Sequence, residues 1–250
     1  MQVSWARLGD AHEGLPRLLD PVERARHDAT VRPEDQARFL VGCALSRLLL
    51  GELLGVPPAD VPLRRVCPRC GGPHGKVRLD MPGSPAPYDF SVTHSGSVVG
   101  VAVCRGGQVG LDVEEAGSLV DVDSAARAAL SDTELAALRA LSPAERQPAF
   151  LRVWTRKEAV LKALGVGLSV SPRELQVSAP DLPPAVLSWP GQLTVRPEPV
   201  LADLVVDGVH PAAVAVTGTG PGVGARATAG ADRVRVVPHD GSGLVAGYGR

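Results

Sequence analysis

Val109-Gly110-Leu111-Asp112-Val113-Glu114 alternates apolar and polar side chains. That is the mark of a strand with one face toward a core. Leu111 and Val113 share the inner face. Asp112 and Glu114 share the other, about 7 Å apart along the strand. Two further strands are predicted just before it, Tyr88-Asp89-Phe90-Ser91-Val92 and Val98 to Cys104, separated by a Thr93-His94-Ser95-Gly96-Ser97 turn. Arg105-Gly106-Gly107 links the second strand to the third, so the three read as a β-meander.

Outward from this meander the chain reads as helix, then strands, twice. The first stretch, to about Val56, is expected to be helical: Phe39, Gly42, Cys43, Leu45, Leu49 and Leu50 recur at helical spacing behind Pro33-Glu34-Asp35. The apolar window Phe39 to Val56 contains Arg47 and Glu52 and reads as an amphipathic helix, too polar to span a bilayer. Val61 to Pro87 is rich in proline and glycine and reads as a basic loop. After Glu115 come capping-box patterns at Ser131-x-x-Glu134 and Ser142-x-x-Glu145. A long helix with Pro148 at its first position and Gly165 as its stop should follow. Short strands are predicted at Leu175-Gln176-Val177, Gln192 to Val195, Asp203 to Val206 and Ala212 to Thr217. The segments from Val99 and from Ala213 look alike, a hint of an internal repeat. Residues 1–115 and 116–218 are therefore read as two halves, and 219–250 as a loose Gly- and Ala-rich tail.

Composition excludes several classes. Lys plus Arg total 26 and Asp plus Glu 27, a net charge of -1, which excludes a basic coat for non-specific nucleic-acid binding. Hydrophobic residues make up 44% and charged residues 21%, a globular balance that argues against disorder. The opening Met1 to Arg7 has no apolar stretch behind a basic end, so no targeting segment is expected. The 4 cysteines are too few for a disulfide framework in 250 residues, which points to a reducing cytoplasm.

Four groups of residues carry candidate chemistry. Asp112 and Glu114 suit a hard cation such as Mg²⁺, which takes oxygen ligands and bridges to phosphate; an acidic, half-solvated strand face is the plain alternative. Trp154, Glu158 and Lys162 are four apart and share one helix face, where carboxylate and ammonium can serve as metal ligand or base and as phosphate clamp; an ordinary surface ion pair is the alternative. Thr93-His94-Ser95-Gly96-Ser97 offers an anion cradle or ordinary hairpin chemistry. Gly71-Gly72-Pro73-His74-Gly75-Lys76 offers a lysine for phosphate but is not a P-loop, and Cys67-x-x-Cys70 with His74 gives either part of a zinc site or a surface dithiol.

Together and in this order, these elements resemble the 4′-phosphopantetheinyl transferases, in the branch typified by the surfactin-synthetase activator. The similarity runs from about Pro21 to Thr217. It rests on Pro33-Glu34-Asp35-Gln36-Ala37-Arg38, His74-Gly75-Lys76, Phe90 to Ser95, Gly110 to Glu114, and Trp154-Thr155-Arg156-Lys157-Glu158 through Lys162 to Leu168. The resemblance implies an α+β pseudo-dimer of two similar halves with coenzyme A between them. It implies Mg²⁺-dependent transfer of the phosphopantetheine arm of coenzyme A to a serine of an apo acyl or peptidyl carrier protein, releasing 3′,5′-ADP. Asp112, Glu114 and Glu158 match the metal cluster, with Glu158 also the general base and Lys162 acting on the leaving phosphate. His74, Gly75, Lys76, Thr93, His94, Ser95, Lys157 and Lys162 match coenzyme A contacts, and Arg38 and Arg26 match those to its 3′-phosphate. A cytoplasmic monomer serving polyketide or nonribosomal peptide carriers is the implied setting. Two departures stand out: Lys76 is followed by Val77 where the family often has proline, and Glu23 takes the place of a family lysine, leaving Arg24 and Arg26.

Two other classes compete with the enzyme. One is a non-catalytic coenzyme A or carrier-protein binding module of the same fold; intact acidic positions and lysines count against it. The other is a zinc-dependent nucleic-acid binder built on Cys67 and Cys70, disfavoured by the net charge and the 3% aromatic content.

Overall fold

The computed structural model describes residues 1–66, 70–72, 75–83, 85–117, 121–194, 196–218 and 236–249. Cys67, His74 and the tail from 219 to 235 lie outside the described residues.

Strand β1 (Gln2–Arg7) leads into helices α1 (Pro21–Asp28) and α2 (Pro33–Leu54). The hairpin strands β2 (Leu63–Arg65) and β3 (Val77–Leu79) lie within the stretch read as loop. Then come β4 (Tyr88–Ser95), β5 (Val98–Arg105) and β6 (Gln108–Val113). Helices α3 (Val122–Ala129), α4 (Asp132–Ala140) and α5 (Pro143–Leu164) precede the short pair β7 (Gln176–Val177) and β8 (Val186–Ser188). Strands β9 (Val200–Val206), β10 (His210–Thr217) and β11 (Val237–Asp240) and helix α6 (Gly241–Ala246) complete the mixed α/β fold.

Four strands form one sheet in the order β11-β1-β5-β4, and three form a second in the order β6-β10-β9. Each sheet carries a 22-residue helix, α2 on the first and α5 on the second. Between the sheets, Val3, Ala102 and Cys104 meet Val109, Leu111, Val214 and Val216 in a shared apolar layer. The order of layers is thus helix, sheet, sheet, helix. The two look-alike sequence segments include β5 and β10, each an inner strand of its own sheet.

The meander is corrected at its third strand. β6 does not pair with β5; it runs antiparallel to β10, with Leu111 opposite Val214. Its even-numbered N–H groups point toward β10, as the bond from Glu114 N–H to the Pro211 carbonyl (2.9 Å) indicates. The odd-numbered ones point the other way and are taken by side chains of β4. Asp89 accepts from Val109 N–H at 2.7 Å, Ser91 from Leu111 at 3.0 Å, Thr93 from Val113 at 3.3 Å and Ser95 from Glu115 at 3.0 Å. Period two on both strands makes this regular. β6 thus belongs to the second sheet.

Other differences have local causes. β1 replaces the expected helical opening; with Val3, Ser4 and Ala6 all buried, its two-sided burial hides any alternation. β4 runs through Ser95, so the turn before β5 is only Gly96-Ser97. α2 is enclosed on all sides from Ala44 to Gly51 rather than amphipathic. Arg47 survives there because Asp20 (2.8 Å), Glu23 (2.7 Å) and the carbonyls of Ala59 and Val61 (3.1 Å each) engage its donors. α5 starts at Pro143, five residues earlier than expected, because Ser142 N–H and the Glu145 carboxylate (3.1 Å) close a capping box; Pro148 lies inside the helix. Gly165 ends α5 at φ +69, as expected. Gln192 falls in a turn rather than a strand. Residues 236–249 are not loose: β11 adds in parallel to β1, and α6 packs on α2 with Val245 fully buried.

The second sheet approaches α5 closely because Gly110, Ala159 and Ala163 are small. A Cβ on Gly110 would stand 1.9 Å from the Ala159 carbonyl oxygen and 2.4 Å from Ala163 N. Both are backbone atoms and cannot swing aside. Gly110→Ala is expected to destabilise the protein by about 3 kcal/mol or more, lowering the melting temperature by about 6–12 °C. Calorimetric melting checks this.

Candidate active site

A cavity of about 600 Å³ is walled by α1, α2, the β2–β3 hairpin, β4, the end of α5 and the turn after it. Its size suits a small-molecule site. Arg26, Arg38, Arg65, Lys76, His94 and Lys162 all line it. With six basic side chains on one concave wall, the cavity is built for an anion.

The acidic cluster lies at the seam of the two sheets. Asp112 is 5% exposed, which rules out a solvated strand face. Its Oδ1 accepts from Lys162 Nζ at 2.6 Å and from the Thr93 hydroxyl at 3.2 Å. Its Oδ2 is buried without a hydrogen-bond partner among the described residues. Glu114 takes the Ser95 hydroxyl at 2.8 Å on Oε2 and the Trp154 indole N–H at 2.9 Å on Oε1. Trp154, Glu158 and Lys162 share the α5 face turned toward these acids. Lys162 pairs with Asp112, so no Glu158–Lys162 surface pair forms among the described residues.

Electrostatics at the cluster are strained in one direction. Burial raises the pKa of Asp112, against the pull of Lys162. Burial, then the charge of Asp112, raises Glu114 and Glu158. Three carboxylates sharing one ammonium lack positive charge, and an unsatisfied buried carboxylate oxygen lacks a ligand. A hard divalent cation fits both deficits. Among the described residues no three such side chains close into a ready-made cage. Mg²⁺ needs none, since it takes one or two carboxylates and completes its shell with water and substrate phosphate.

The remaining predicted residues divide. Arg26 stands over the Phe39 ring, 5.3 Å from its centroid, at the exposed lip of the cavity. Arg24 turns away to the Pro16 carbonyl (2.8 Å), and Glu23 is locked to Arg47 and to Asp20 N–H (3.1 Å). Arg38 is steadied by Asp35 and the Gly96 carbonyl, both at 2.6 Å. Loss of water around the His94 ring, then the charges of Lys162 and Arg38, lower its pKa. Lys76 reaches the cavity wall held by Asp89 and the Val109 carbonyl. Thr93 and Ser95 are corrected: their hydroxyls are spent on Asp112 and Glu114 and on the β6 backbone, so they support the acids rather than meet a ligand. Lys157 is corrected too. It is fully buried, bonded to Glu134 at 2.6 Å and to the carbonyls of Ala129 and Pro172 at 3.0 Å, on the side of α5 away from the cavity. Cys43 is half-buried at the cavity wall, where burial pushes its thiol far up.

Sequence reasoning missed Arg65. Its NH1 donates to the Gly75 carbonyl at 3.0 Å, and burial, then Arg26, lower its pKa. Neighbouring Arg64 is exposed and faces Asp80. Strand alternation over 63–65 was the available signal.

The model of the 4′-phosphopantetheinyl transferase superfamily matches residues 108–205, which span the acidic strand and α5. The 4′-phosphopantetheinyl transferase HetI of Nostoc sp. is 32% identical over 206 residues, covering 82% of this chain and 81% of the relative. The chain belongs to the 4′-phosphopantetheinyl transferase family. A putative 4′-phosphopantetheinyl transferase of Synechocystis sp. is 31% identical over 156 residues, covering 62% of this chain and 61% of its own. The human L-aminoadipate-semialdehyde dehydrogenase-phosphopantetheinyl transferase is 28% identical over 176 residues, 67% of this chain and 54% of the relative. As a phosphopantetheinyl transferase, the chain carries Asp112, Glu114, Trp154, Glu158 and Lys162 within the matched region.

The raised carboxylates give this transferase a pH signature. Folded protein holds extra protons above the ordinary values of 3.8 and 4.5. That contribution to stability is complete below those values and is lost as pH rises through the raised ones. In EDTA the melting temperature is expected to fall as pH rises above the ordinary carboxylate values of 3.8 and 4.5, with Mg²⁺ restoring it only on the alkaline side of that fall. Asp112→Asn should flatten the EDTA profile. Melting curves that ignore both the substitution and Mg²⁺ would refute the cluster.

Proposed function

We propose that this protein transfers the 4′-phosphopantetheine arm of coenzyme A to a serine of an apo acyl or peptidyl carrier protein and releases 3′,5′-ADP. The observation that carries the reading is the buried Asp112 with its unpartnered oxygen, set beside Glu114, Glu158 and Lys162 at the edge of a cavity walled with arginines. A binding module without catalysis has no use for a carboxylate cluster short of positive charge, so the catalytic reading is favoured. Two sheet-plus-helix halves in one chain support a pseudo-dimeric monomer of the surfactin-synthetase-activator branch.

Arg26 and Arg38 hold the 3′-phosphate through charge-assisted hydrogen bonds, with Lys76 and His94 along the wall. Asp112, Glu114 and Glu158 would hold Mg²⁺, which when bound offsets charge on the pyrophosphate. Glu158 accepts the proton of the carrier serine. Its raised pKa brings it closer to the working pH, where a general base is most effective. The serine oxygen forms its bond to the phosphorus nearer the pantetheine as the bond from that phosphorus to 3′,5′-ADP breaks. Lys162 neutralises the charge that grows on the departing phosphate.

Incubation with coenzyme A, Mg²⁺ and a panel of apo carrier proteins, followed by intact mass, tests the assignment; no mass gain on any carrier overturns it. Glu158→Gln should keep the wild-type melting temperature and lower turnover about 100-fold or more. Arg26→Ala should weaken coenzyme A binding about 10-fold or more, with little effect on dephospho-coenzyme A. Equal losses for both ligands would remove Arg26 from the 3′-phosphate.

A further inference from the structure

We propose that Asp89 is a positioning residue that sets Lys76 at the cavity wall. The proposal rests on the coenzyme A reading of that cavity. Asp89 lies on β4 with its side chain 12% exposed, and its carboxylate faces three partners. Oδ2 takes the Lys76 ammonium and the Val109 N–H (2.7 Å), and Oδ1 faces Arg78 NH1 at 3.8 Å. The Val109 carbonyl takes the same ammonium at 2.8 Å. Lys76, Asp89 and the Val109 peptide thus close a ring that joins the connection before β3 to β4 and β6.

Charge alone argues against a carboxylate here, since it repels the anion the cavity is built to hold. Placement argues for it. Lys76 follows Gly75, whose φ of +91 belongs to a bend that only glycine adopts easily. A lysine on such a bend, with four rotatable carbons, has no fixed position of its own. An ammonium has three donors. Two are consumed by Asp89 and Val109, which aims the third and keeps the stem against the wall. Desolvation at this depth works against the charged form of Lys76, and Asp89 is the chief group that opposes it. Arg78 beside it lies over Gly165 at the end of α5, with NH2 2.6 Å from where a Cβ would stand, so the hairpin also rests on the second half.

Asp89→Asn keeps an oxygen for Val109 N–H while removing the charge that holds Lys76. It is expected to raise KM for coenzyme A about 10-fold, leave kcat within about twofold, and leave the melting temperature close to wild type. Lys76→Ala should raise KM equally, and the double variant should be no worse than either alone, because both act through one ammonium. Calorimetric titration of coenzyme A into the same proteins gives the Kd beside the turnover. A lower KM in Asp89→Asn would mean the carboxylate only competes with substrate and would overturn the proposal. So would additive losses in the double variant, or a melting loss with KM unchanged. Wild-type protein that neither binds coenzyme A nor modifies a carrier would instead overturn the function itself.

Discussion

Four side chains of one strand hold the next strand by its backbone, and the site depends on that junction. Asp89, Ser91, Thr93 and Ser95 stand two residues apart on β4 and meet alternate N–H groups of β6 and of Glu115 just beyond it. A strand that already gives its other edge to β10 would expose these donors at the meeting of two sheets, and burying them unpaired costs about 1–3 kcal/mol each. The side chains remove that cost and fix register, since a slip of one residue would turn every β6 side chain over. Thr93 shows how tightly structure and site are merged. Its hydroxyl oxygen takes the Val113 N–H, donates to Asp112 and lies 3.2 Å from Lys162 Nζ.

Where chemistry follows a simple period, the sequence exposes it. Alternation put Asp112 and Glu114 together, and fourfold spacing put Trp154, Glu158 and Lys162 on one face; the structure brings both groups to one place. Capping boxes at Ser131 and Ser142 were legible for the same reason, as local rules with local partners. Direction around a helix was not. Arg156 and Lys157 stand between Trp154 and Glu158 in the chain, yet both turn into the second core, where Arg156 meets Asp203 at 2.6 Å and Lys157 meets Glu134. Charge and spacing alone cannot distinguish a lysine facing a phosphate from one facing a half-buried glutamate on the preceding helix. Thr93 and Ser95 looked like ligand contacts because hydroxyls near a glycine suit anions equally well, and only the partner strand reveals what they hold. β1 and the segment from 236 were illegible because their pairing is with residues far away in sequence.

The two long helices solve one problem in the same way. Each buries an arginine that joins a carboxylate to a set of loop carbonyls: Arg47 with Asp20, Glu23, Ala59 and Val61, and Arg156 with Asp203, Ser178, Ala179 and Leu182. A guanidinium has enough donors to end several loops at one point, and leaving one buried and unpaired would be costly. In the first half this hub has a second use. Glu23 caps α1 while it is tied to Arg47, and α1 carries Arg26 at the lip of the cavity. The acidic residue that departs from the family pattern lines the cavity, but its carboxylate is tied to Arg47 and serves as a strut.

The closing strand and helix have a consequence for how the molecule is made. β1 pairs with β11, a strand that lies far later in the chain. The hydroxyl of Ser242 reaches the carboxylate of Asp10, 232 positions earlier. Until that later segment docks, the first sheet has an open edge at β1 and α2 lacks its contact with Val245. Such an edge invites pairing with other chains. Contacts of this span also slow folding, because the loop must close before the contact rewards it. The first sheet is therefore completed only when the segment from 236 docks, and until then the chain holds its β1 edge uncovered.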